Sequence, residues 1–365
     1  MRIRGAMQRI GPAAALLLLA APFAPAARMT YEPTLATAER RVEVMGTTLE
    51  LVVRMKYREA ALDASEAALT EVRRVDALLT TWKPGGELWR VDDGAPGKPV
   101  AVSRELVELL ATNFSWIPRT RGAFDPSILP LTRAWDLRGR GRIPTLAELA
   151  AARKASGADR FRIDAEAGTV TRLWADAGID EGAWGKGYAL ELAERALKKA
   201  GVQSAVLDFG GQVLALGSDT AERAWRVPVA HPRDRRKSVV ELGLANLSAS
   251  TSGNSERGRE VDGRRIGHIL DPRSGEPAPD FGSVTVVAPS ALVADILSTA
   301  FFVLGPEKGL ALSASLRKEG VENEALFLVE VDPGGALEAH ASPGIANLVL
   351  SADPTAVVGL SPQQP

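Results

Sequence analysis

Apolar residues recur along this chain at two different spacings, which separate predicted helices from predicted strands. A spacing of three to four positions indicates an amphipathic helix, because it places the apolar side chains on one face. Helices are predicted on this basis at residues 60–79, 103–115, 146–156, 187–199, 291–304 and 307–318. Alternating or continuous short apolar runs predict strands at residues 204–209, 212–216, 225–230, 238–247, 264–270, 283–288 and 325–331. A further strand at residues 41–55 is predicted to be interrupted at residues 45–48, and residues 161–173 are predicted to form a hairpin that turns at residues 164–168.

Local signals fix several ends of these elements. Ser103, Thr145 and Ser290 each precede a predicted helix as an N-cap, and Gly201 and Gly305 each follow one. Strands and helices are interspersed without regular β-α-β order. The sequence therefore predicts an α+β fold with mixed or antiparallel sheets and packed helices.

Composition narrows the classes of function. The chain has 365 residues, 45% of them hydrophobic, and a formal net charge of −1. With no basic surplus to neutralise a phosphate backbone, a nucleic-acid partner is not expected. The chain has three histidines and no cysteine, so disulfides and thiol chemistry are excluded and candidate bases are few.

The first 26 residues have the form of an export signal. Three arginines precede a short apolar segment at residues 13–21, and the small residues 24–26 fit a cleavage site. The apolar segment is short for a membrane span of ~20 residues, which favours a cleaved signal over an uncleaved anchor. We expect a periplasmic or otherwise extracytoplasmic protein that is soluble after cleavage. The predicted parts are a signal peptide (1–26), a linker (27–40), one domain (41–350) and a C-terminal tail (351–365).

A histidine and two oxygen-bearing residues indicate the chemistry. His268 lies near the C-terminal end of the predicted strand 264–270, just before the turn sequence of residues 271–275. Asp295 and Thr299 lie one helical turn apart, and a carboxylate with a hydroxyl suits Mg²⁺. A structural histidine and an ordinary polar helix stripe are the alternatives. Taken together, a histidine and a magnesium half-site indicate chemistry on a phosphate ester.

Other short motifs are ambiguous one by one. Residues 180–188, which include Lys186, open a helix whose free N–H groups could bind an anion, although an ordinary helix start explains the glycines equally well. The pair at 210–211 fits a hairpin, or a close approach of the backbone to a ligand. Segments 122–126 and 251–253 could present a carboxylate and hydroxyls, or be plain turns.

The order and spacing of these motifs resemble the FAD:protein FMN transferase family, formerly called thiamine-biosynthesis lipoproteins. The motifs are Met45-Gly46-Thr47, Gly122-Ala123-Phe124-Asp125-Pro126, residues 180–188, Gly210-Gly211, Thr251-Ser252-Gly253, residues 268–275 and residues 294–299. They span roughly residues 41–310, which is nearly all of the chain after the predicted signal.

The resemblance implies an exported, Mg²⁺-dependent enzyme with FAD as its substrate. FAD would bind in a cleft between two lobes of a T-fold-like α+β structure. The enzyme would move the FMN moiety onto a threonine or serine of a target protein and release AMP. By the same resemblance, His268 would be the base, and Asp295, Thr299 and a backbone carbonyl near Ala183 would hold Mg²⁺. The flavin nucleotide site would be lined by Met45, Trp82, Ala123, Phe124, Asp125, Lys186, Ser252 and Ile269.

Elementary chemistry agrees with this assignment. A threonine hydroxyl is a poor nucleophile until a positioned base takes its proton, a step worth ~10²–10⁴-fold in rate. A pyrophosphate becomes electrophilic when its charge is neutralised, which Mg²⁺ and Lys186 can do. Trp82 offers a flat apolar surface on which a ring could stack.

Some positions depart from the family pattern. Asp92 stands where asparagine is usual, Asp136 where glycine is usual, and Gln212 where aspartate is common. The metal and histidine positions are intact. Two rival functions follow from the same site: a periplasmic Mg²⁺-dependent FAD pyrophosphatase that yields FMN and AMP, and a non-catalytic FAD-binding protein. The sequence does not separate transfer from hydrolysis, whereas an intact base argues against a pure binding protein.

Overall fold

The computed structural model describes residues 35–220, 223–254, 258–261, 263–331 and 336–360. Within them the α-helices are α1 (Arg58–Leu79), α2 (Glu87–Asp93), α3 (Arg104–Arg119), α4 (Leu129–Ala134), α5 (Leu146–Ala155), α6 (Gly185–Lys199) and α7 (Ala291–Lys318). The strands are β1 (Ala36–Val44), β2 (Thr47–Met55), β3 (Pro99–Ala101), β4 (Phe161–Asp164), β5 (Thr169–Arg172), β6 (Ser204–Phe209), β7 (Gln212–Leu216), β8 (Trp225–His231), β9 (Asp234–Leu244), β10 (Leu247–Gly253), β11 (Arg259–Val261), β12 (Arg264–Ile266), β13 (Gly282–Ala288), β14 (Glu324–Glu330), β15 (Leu337–Ala341), β16 (Val349–Ala352) and β17 (Val357–Val358).

The predicted helix caps are confirmed. The Ser103 hydroxyl accepts from the Leu106 N–H at 3.2 Å, and Thr145 forms a reciprocal capping box with Glu148. Gly201 follows α6 with a positive φ of 81°. Helices often end with a residue in this left-handed conformation, which glycine adopts with the least strain. These signals are local, so the sequence alone suffices to place them.

A nine-stranded sheet organises the fold. Its order is β1-β2-β6-β7-β10-β13-β14-β15-β17, and every pair is antiparallel except the last. Helices α1, α6 and α7 pack on one face of this sheet. The mixed α+β architecture that the sequence predicts is confirmed.

The other face of the large sheet is also buried. Alternate residues of its central strands point to opposite sides: in β7, Leu214 belongs to the core beneath the helices, whereas Val213 and Ala215 belong to a second core. That second core is closed by a three-stranded sheet of order β16-β9-β8. Because both faces are covered, β7 and β13 are buried along their whole lengths, and most of their residues are apolar.

Smaller units complete the structure beside the large sheet. Strands β3, β5 and β4 form a three-stranded antiparallel sheet, and β11 pairs with β12. A third apolar cluster joins α4 and α5 to the segment after β12 through Leu131, Trp135, Leu149, Ile266 and Leu270. This cluster attaches the loop that carries His268 to the two short helices.

The predicted domain boundaries need correction at both ends. Strand β1 begins at Ala36, so residues 36–40 of the predicted linker belong to the sheet, where Ala38 is buried. Strands β16 and β17 likewise lie partly or wholly in the predicted C-terminal tail, and the buried Val357 pairs with Leu337 of β15. Strands β16 and β17 have four and two residues, which is too short for a repeating pattern of apolar positions to be recognised.

The predicted interruption of the strand at residues 41–55 is confirmed, because Met45 and Gly46 take positive φ angles of 49° and 72° and turn the chain from β1 into β2. Two other predicted strands differ from the observed ones. The predicted strand 238–247 ends at Leu244, and the chain then turns into β10. The predicted strand 264–270 stops at Ile266, so His268 lies in a loop.

No helix in the described part of the chain is long and apolar enough to cross a membrane. The predicted signal peptide, residues 1–26, lies outside the described residues.

Candidate active site

A cavity of about 980 Å³ collects every residue that the sequence assigns to the site. Its walls include the β1–β2 turn, the loops after α1 and α3 and the start of α6. They also include the first residue of β7, the C-terminal half of β10, the loop after β12 and the first turns of α7. The twelve assigned residues that line it are Met45, Trp82, Ala123, Phe124, Asp125, Ala183, Lys186, Ser252, His268, Ile269, Asp295 and Thr299. The fold therefore brings together segments that are up to 254 positions apart in the chain, from Met45 to Thr299.

Asp295 is the most enclosed ionisable group assigned to the site, at 3% exposure. Its Oδ2 accepts from the Gly187 N–H at 3.0 Å, and its Oδ1 accepts from Lys186 Nζ at 3.3 Å and from Ser250 Oγ at 3.4 Å. Three donors thus hold a buried carboxylate beside the start of α6. A buried charge that is paired in this way keeps its position.

The starts of α6 and α7 are in direct contact. A side chain at Gly187 would place its Cβ 2.5 Å from the Ala291 carbonyl oxygen, closer than any side chain can come. Glycine at this position lets its N–H reach Asp295 and keeps Lys186, which is half-buried, at the edge of the cavity. The positive end of the α6 dipole and the Lys186 ammonium therefore lie together, an arrangement that binds anions.

Hydroxyl groups line the floor next to Asp295. Ser298 Oγ lies 3.1 Å from Ser250 Oγ and 2.9 Å from Ser252 Oγ. Gln212, directly across the sheet from Ser250, is 0% exposed and donates from Nε2 to the Ala291 carbonyl at 2.7 Å. Its Oε1 is buried and has no hydrogen-bond partner among the described residues. Sequence reasoning noted Gln212 only as a departure from the family, because burial of its amide is a property of the fold.

The donor set around Asp295 fits a hard cation only in part. Thr299 lies one turn further along α7 and is half-buried, and Ala183 lines the same cavity. Among the residues that the structure describes, no three His, Cys, Asp or Glu side chains are grouped so that they could hold a metal ion. A cation here would rely on one carboxylate, a hydroxyl and a carbonyl, a small oxygen set compatible with Mg²⁺, which completes its shell with water and phosphate.

Two backbone hydrogen bonds close the turn that follows His268. The Ala278 N–H donates to the Ile269 carbonyl at 2.9 Å, and the Asp271 N–H donates to the Glu276 carbonyl at 2.8 Å. His268 is half-buried, whereas Ile269 is buried. The imidazole is thus presented to the cavity from a braced loop rather than from a strand end.

Asp125 lies on another wall and is oriented by its neighbour. Its Oδ1 accepts from both the backbone N–H and the hydroxyl of Ser127, at 2.8 and 2.5 Å. Burial raises the pKa of the Asp125 carboxyl above its ordinary value, and the two bonds from Ser127 oppose this shift. Asp125 is therefore a fixed polar group beside Phe124, which is fully buried.

A charged cluster that sequence reasoning missed lies at the rim beside Trp82. Arg138 Nη2 is 3.0 Å from Asp180 Oδ2 and 3.3 Å from Glu181 Oε2. Burial, with the adjacent Asp180 charge, raises the pKa of Glu181 to about 7, while Arg138 lowers it. These partners are more than 40 positions apart in the chain, so no local motif announces them.

The chain is similar in sequence to proteins named FAD:protein FMN transferase. The chain is 30% identical over 275 residues to a FAD:protein FMN transferase of Klebsiella pneumoniae (strain 342), covering 73% of this chain and 77% of that protein. It is 28% identical over 349 residues to the FAD:protein FMN transferase of Salmonella typhimurium, covering 93% and 96%.

Solved structures give the same result. The ApbE protein of Thermotoga maritima superposes with a TM-score of 0.75 at 29% identity, covering 82% of this chain and 96% of that one. The apo flavinyl transferase ApbE of Pseudomonas stutzeri superposes with a TM-score of 0.73 at 28% identity, covering 88% and 99%. The sequence profile of the ApbE family matches residues 45–323, a range that contains all twelve cavity residues. This chain belongs to the ApbE family.

Proposed function

We propose that this chain transfers the FMN moiety of FAD to a threonine or serine hydroxyl of a target protein and releases AMP. The observation that carries the proposal is the single cavity that unites a histidine, a buried carboxylate and a lysine at a helix start. Relatives named for this activity cover most of the chain and support it.

Binding of the dinucleotide falls to the start of α6 and the walls of the cavity. Lys186 and the α6 dipole would hold the pyrophosphate, since both favour negative charge. Met45, Ala123, Phe124, Ser252 and Ile269 would enclose the rest of the nucleotide.

Asp295, Thr299 and the Ala183 carbonyl are the groups that would hold Mg²⁺. A bound Mg²⁺ would neutralise charge on the pyrophosphate and so make the phosphorus more electrophilic. Lys186 now pairs with Asp295 at 3.3 Å, so its ammonium is already beside the place where the phosphate charge would lie.

His268 is the proposed base. Its imidazole would take the proton of the acceptor hydroxyl while the hydroxyl oxygen bonds to the phosphorus of the FMN moiety. The bond from that phosphorus to the bridging oxygen of the AMP portion breaks, and AMP leaves with the electron pair. The loop bonded at Ile269 and Asp271 keeps the imidazole on the cavity wall during this step.

The proposed enzyme acts outside the cytoplasm. The export pattern of residues 1–26 supports an extracytoplasmic enzyme that is soluble after cleavage and meets a membrane only through its target protein.

The decisive experiment incubates the mature protein with FAD, Mg²⁺ and a threonine-containing acceptor protein. Mass spectrometry of the acceptor should show a covalent FMN moiety, with AMP released in equal amount. The matched control is the same acceptor with its threonine replaced by valine, which should stay unmodified. Release of AMP without acceptor labelling would instead establish hydrolysis, and failure to bind FAD would overturn the site itself.

A further inference from the structure

Arg138 joins three separate segments at the rim of the cavity. Its Nη1 donates to Thr81 Oγ1 at 2.7 Å, and its Nη2 faces the carboxylates of Asp180 and Glu181 at 3.0 and 3.3 Å. Thr81 also donates to Glu181, at 2.8 Å. The guanidinium carbon Cζ lies over the Trp82 ring, 4.6 Å from its centre. One side chain thus fixes the segment before Trp82, the segment before α6 and its own loop together.

The loop that presents Arg138 is built to hold one shape. Asp136 takes a positive φ of 50°, which is unfavourable for a residue with a side chain. Its carboxylate offsets this cost by accepting from the Arg140 N–H at 3.0 Å, and it fills the space above Gly139. Trp135 anchors the loop from below by donating its indole N–H to the Gly275 carbonyl at 2.8 Å. Arg138 therefore extends from a braced turn.

Trp82 is the ligand-facing part of this arrangement. Although it lines the cavity, it is 65% exposed, a large fraction for so apolar a ring. A guanidinium over an aromatic ring is attractive, and arginine suits this role because its planar group can stack and form ion pairs at the same time. With Arg138 at one face, the ring is held in place while much of its surface stays open.

We propose that Arg138 is a positioning residue that fixes the Trp82 ring as a platform for one of the two aromatic ring systems of FAD. The inference rests on the proposed function, because it takes FAD as the ligand. Arg138 acts through Trp82 and makes no contact with the reacting phosphorus. Its ion pairs with Asp180 and Glu181 serve to hold the guanidinium in the stacking position.

A double-mutant cycle on FAD affinity tests this role. Titration calorimetry with FAD alone would compare the wild type, Arg138→Gln, Trp82→Ala and the double variant. Each single change should weaken FAD binding by about 5- to 30-fold, the range expected for loss of a stacking or cation–π contact. The double variant should be no weaker than Trp82→Ala, because Arg138 has no effect once its ring is gone. Arg140→Gln, an exposed arginine of the same loop, should bind like the wild type.

The kinetic signature separates positioning from a loss of fold. Arg138→Gln should raise the KM for FAD with kcat within about twofold, which is the pattern of lost binding rather than of lost chemistry. Arg138→Lys keeps the charge without the planar fork and should fall between the wild type and Arg138→Gln. If Arg138→Gln does not fold, the lysine variant completes the cycle in its place.

Titrations with riboflavin and with AMP show which ring system of FAD stacks on Trp82. The FAD titrations distinguish failure of the positioning role from failure of the proposed function. Trp82→Ala should weaken either riboflavin or AMP, and the affected probe identifies the ring. Multiplicative losses in the double variant, or an Arg138→Gln that binds FAD like the wild type, would overturn the positioning role. A wild type that does not bind FAD at all would instead overturn the proposed function.

Discussion

Replacing Asp92 with asparagine should stabilise the folded protein at neutral and alkaline pH. Asp92 is 7% exposed, and its Oδ1 accepts from the Ile179 N–H at 2.9 Å. Its Oδ2 is buried and has no hydrogen-bond partner among the described residues. Burial raises the pKa of this carboxyl from 3.8 to about 7, although the Ile179 bond and the Arg133 charge both act to lower it.

The direction of the pH effect follows from proton binding. Between pH 4 and pH 7 the folded protein keeps a proton on Asp92 that the unfolded chain has released, so the free energy of unfolding falls as pH rises through this window. At ~1.4 kcal/mol per pKa unit, a shift of about three units costs about 4 kcal/mol above pH 7. Asparagine has nearly the same shape, can still accept from Ile179 and carries no ionisable proton, so the variant avoids this loss.

Urea denaturation from pH 4.5 to pH 8.5 measures the difference directly. The advantage of Asp92→Asn over the wild type should grow by about 2–4 kcal/mol between pH 4.5 and pH 7.5, then level off. Asp93→Asn, the exposed neighbour, is the matched control and should show no such growth. Parallel stability curves for the wild type and Asp92→Asn would refute the reasoning, because they would mean that burial does not hold a proton on Asp92.

Three further outcomes are expected. His268→Ala should bind FAD within a few fold of the wild type but transfer FMN ~10²–10⁴-fold more slowly in rapid-mixing kinetics; an unchanged rate would rule out His268 as the base. Asp295→Asn should lose Mg²⁺-dependent transfer and Mg²⁺ binding by calorimetry while circular dichroism stays native, and retained Mg²⁺ affinity would place the metal elsewhere. FAD should bind more tightly than riboflavin, because Lys186 and the α6 start act on the pyrophosphate; equal calorimetric affinities would contradict the anion site.

The sequence predicts those parts of the fold whose signals are local. Capping residues and periodic apolar positions predict helices α3 and α5, and the ends of both helices lie within a few residues of the predicted ones. Helix α2 escapes detection because it is seven residues long and begins after Gly86 without a side-chain cap. Strand β10 escapes because buried serines occupy positions where a core strand usually carries apolar residues.

The candidate site likewise has parts that the sequence predicts and parts that depend on the fold. Motifs in chain order suffice to gather the twelve cavity residues, because the family pattern records which segments meet. The state of Asp92 and the contacts of Arg138 depend on burial and on partners more than 40 positions away, which no pattern in one sequence reports. Burial raises the pKa of Asp92 towards neutrality, an outcome that composition alone cannot supply.

The contact between the starts of α6 and α7 has a consequence for how this protein can evolve. Because a Cβ at position 187 would lie 2.5 Å from the Ala291 carbonyl oxygen and 2.8 Å from the Leu292 Cα, even alanine would force the two helices apart. The separation would carry Asp295 away from the Gly187 N–H to which it is bonded at 3.0 Å. In a deep mutational scan, position 187 should therefore accept glycine alone, although it has no side chain with which to touch a substrate. Substitutions at this position are not compensated by a smaller neighbouring side chain, because the atoms that a Cβ would meet belong to the backbone of α7.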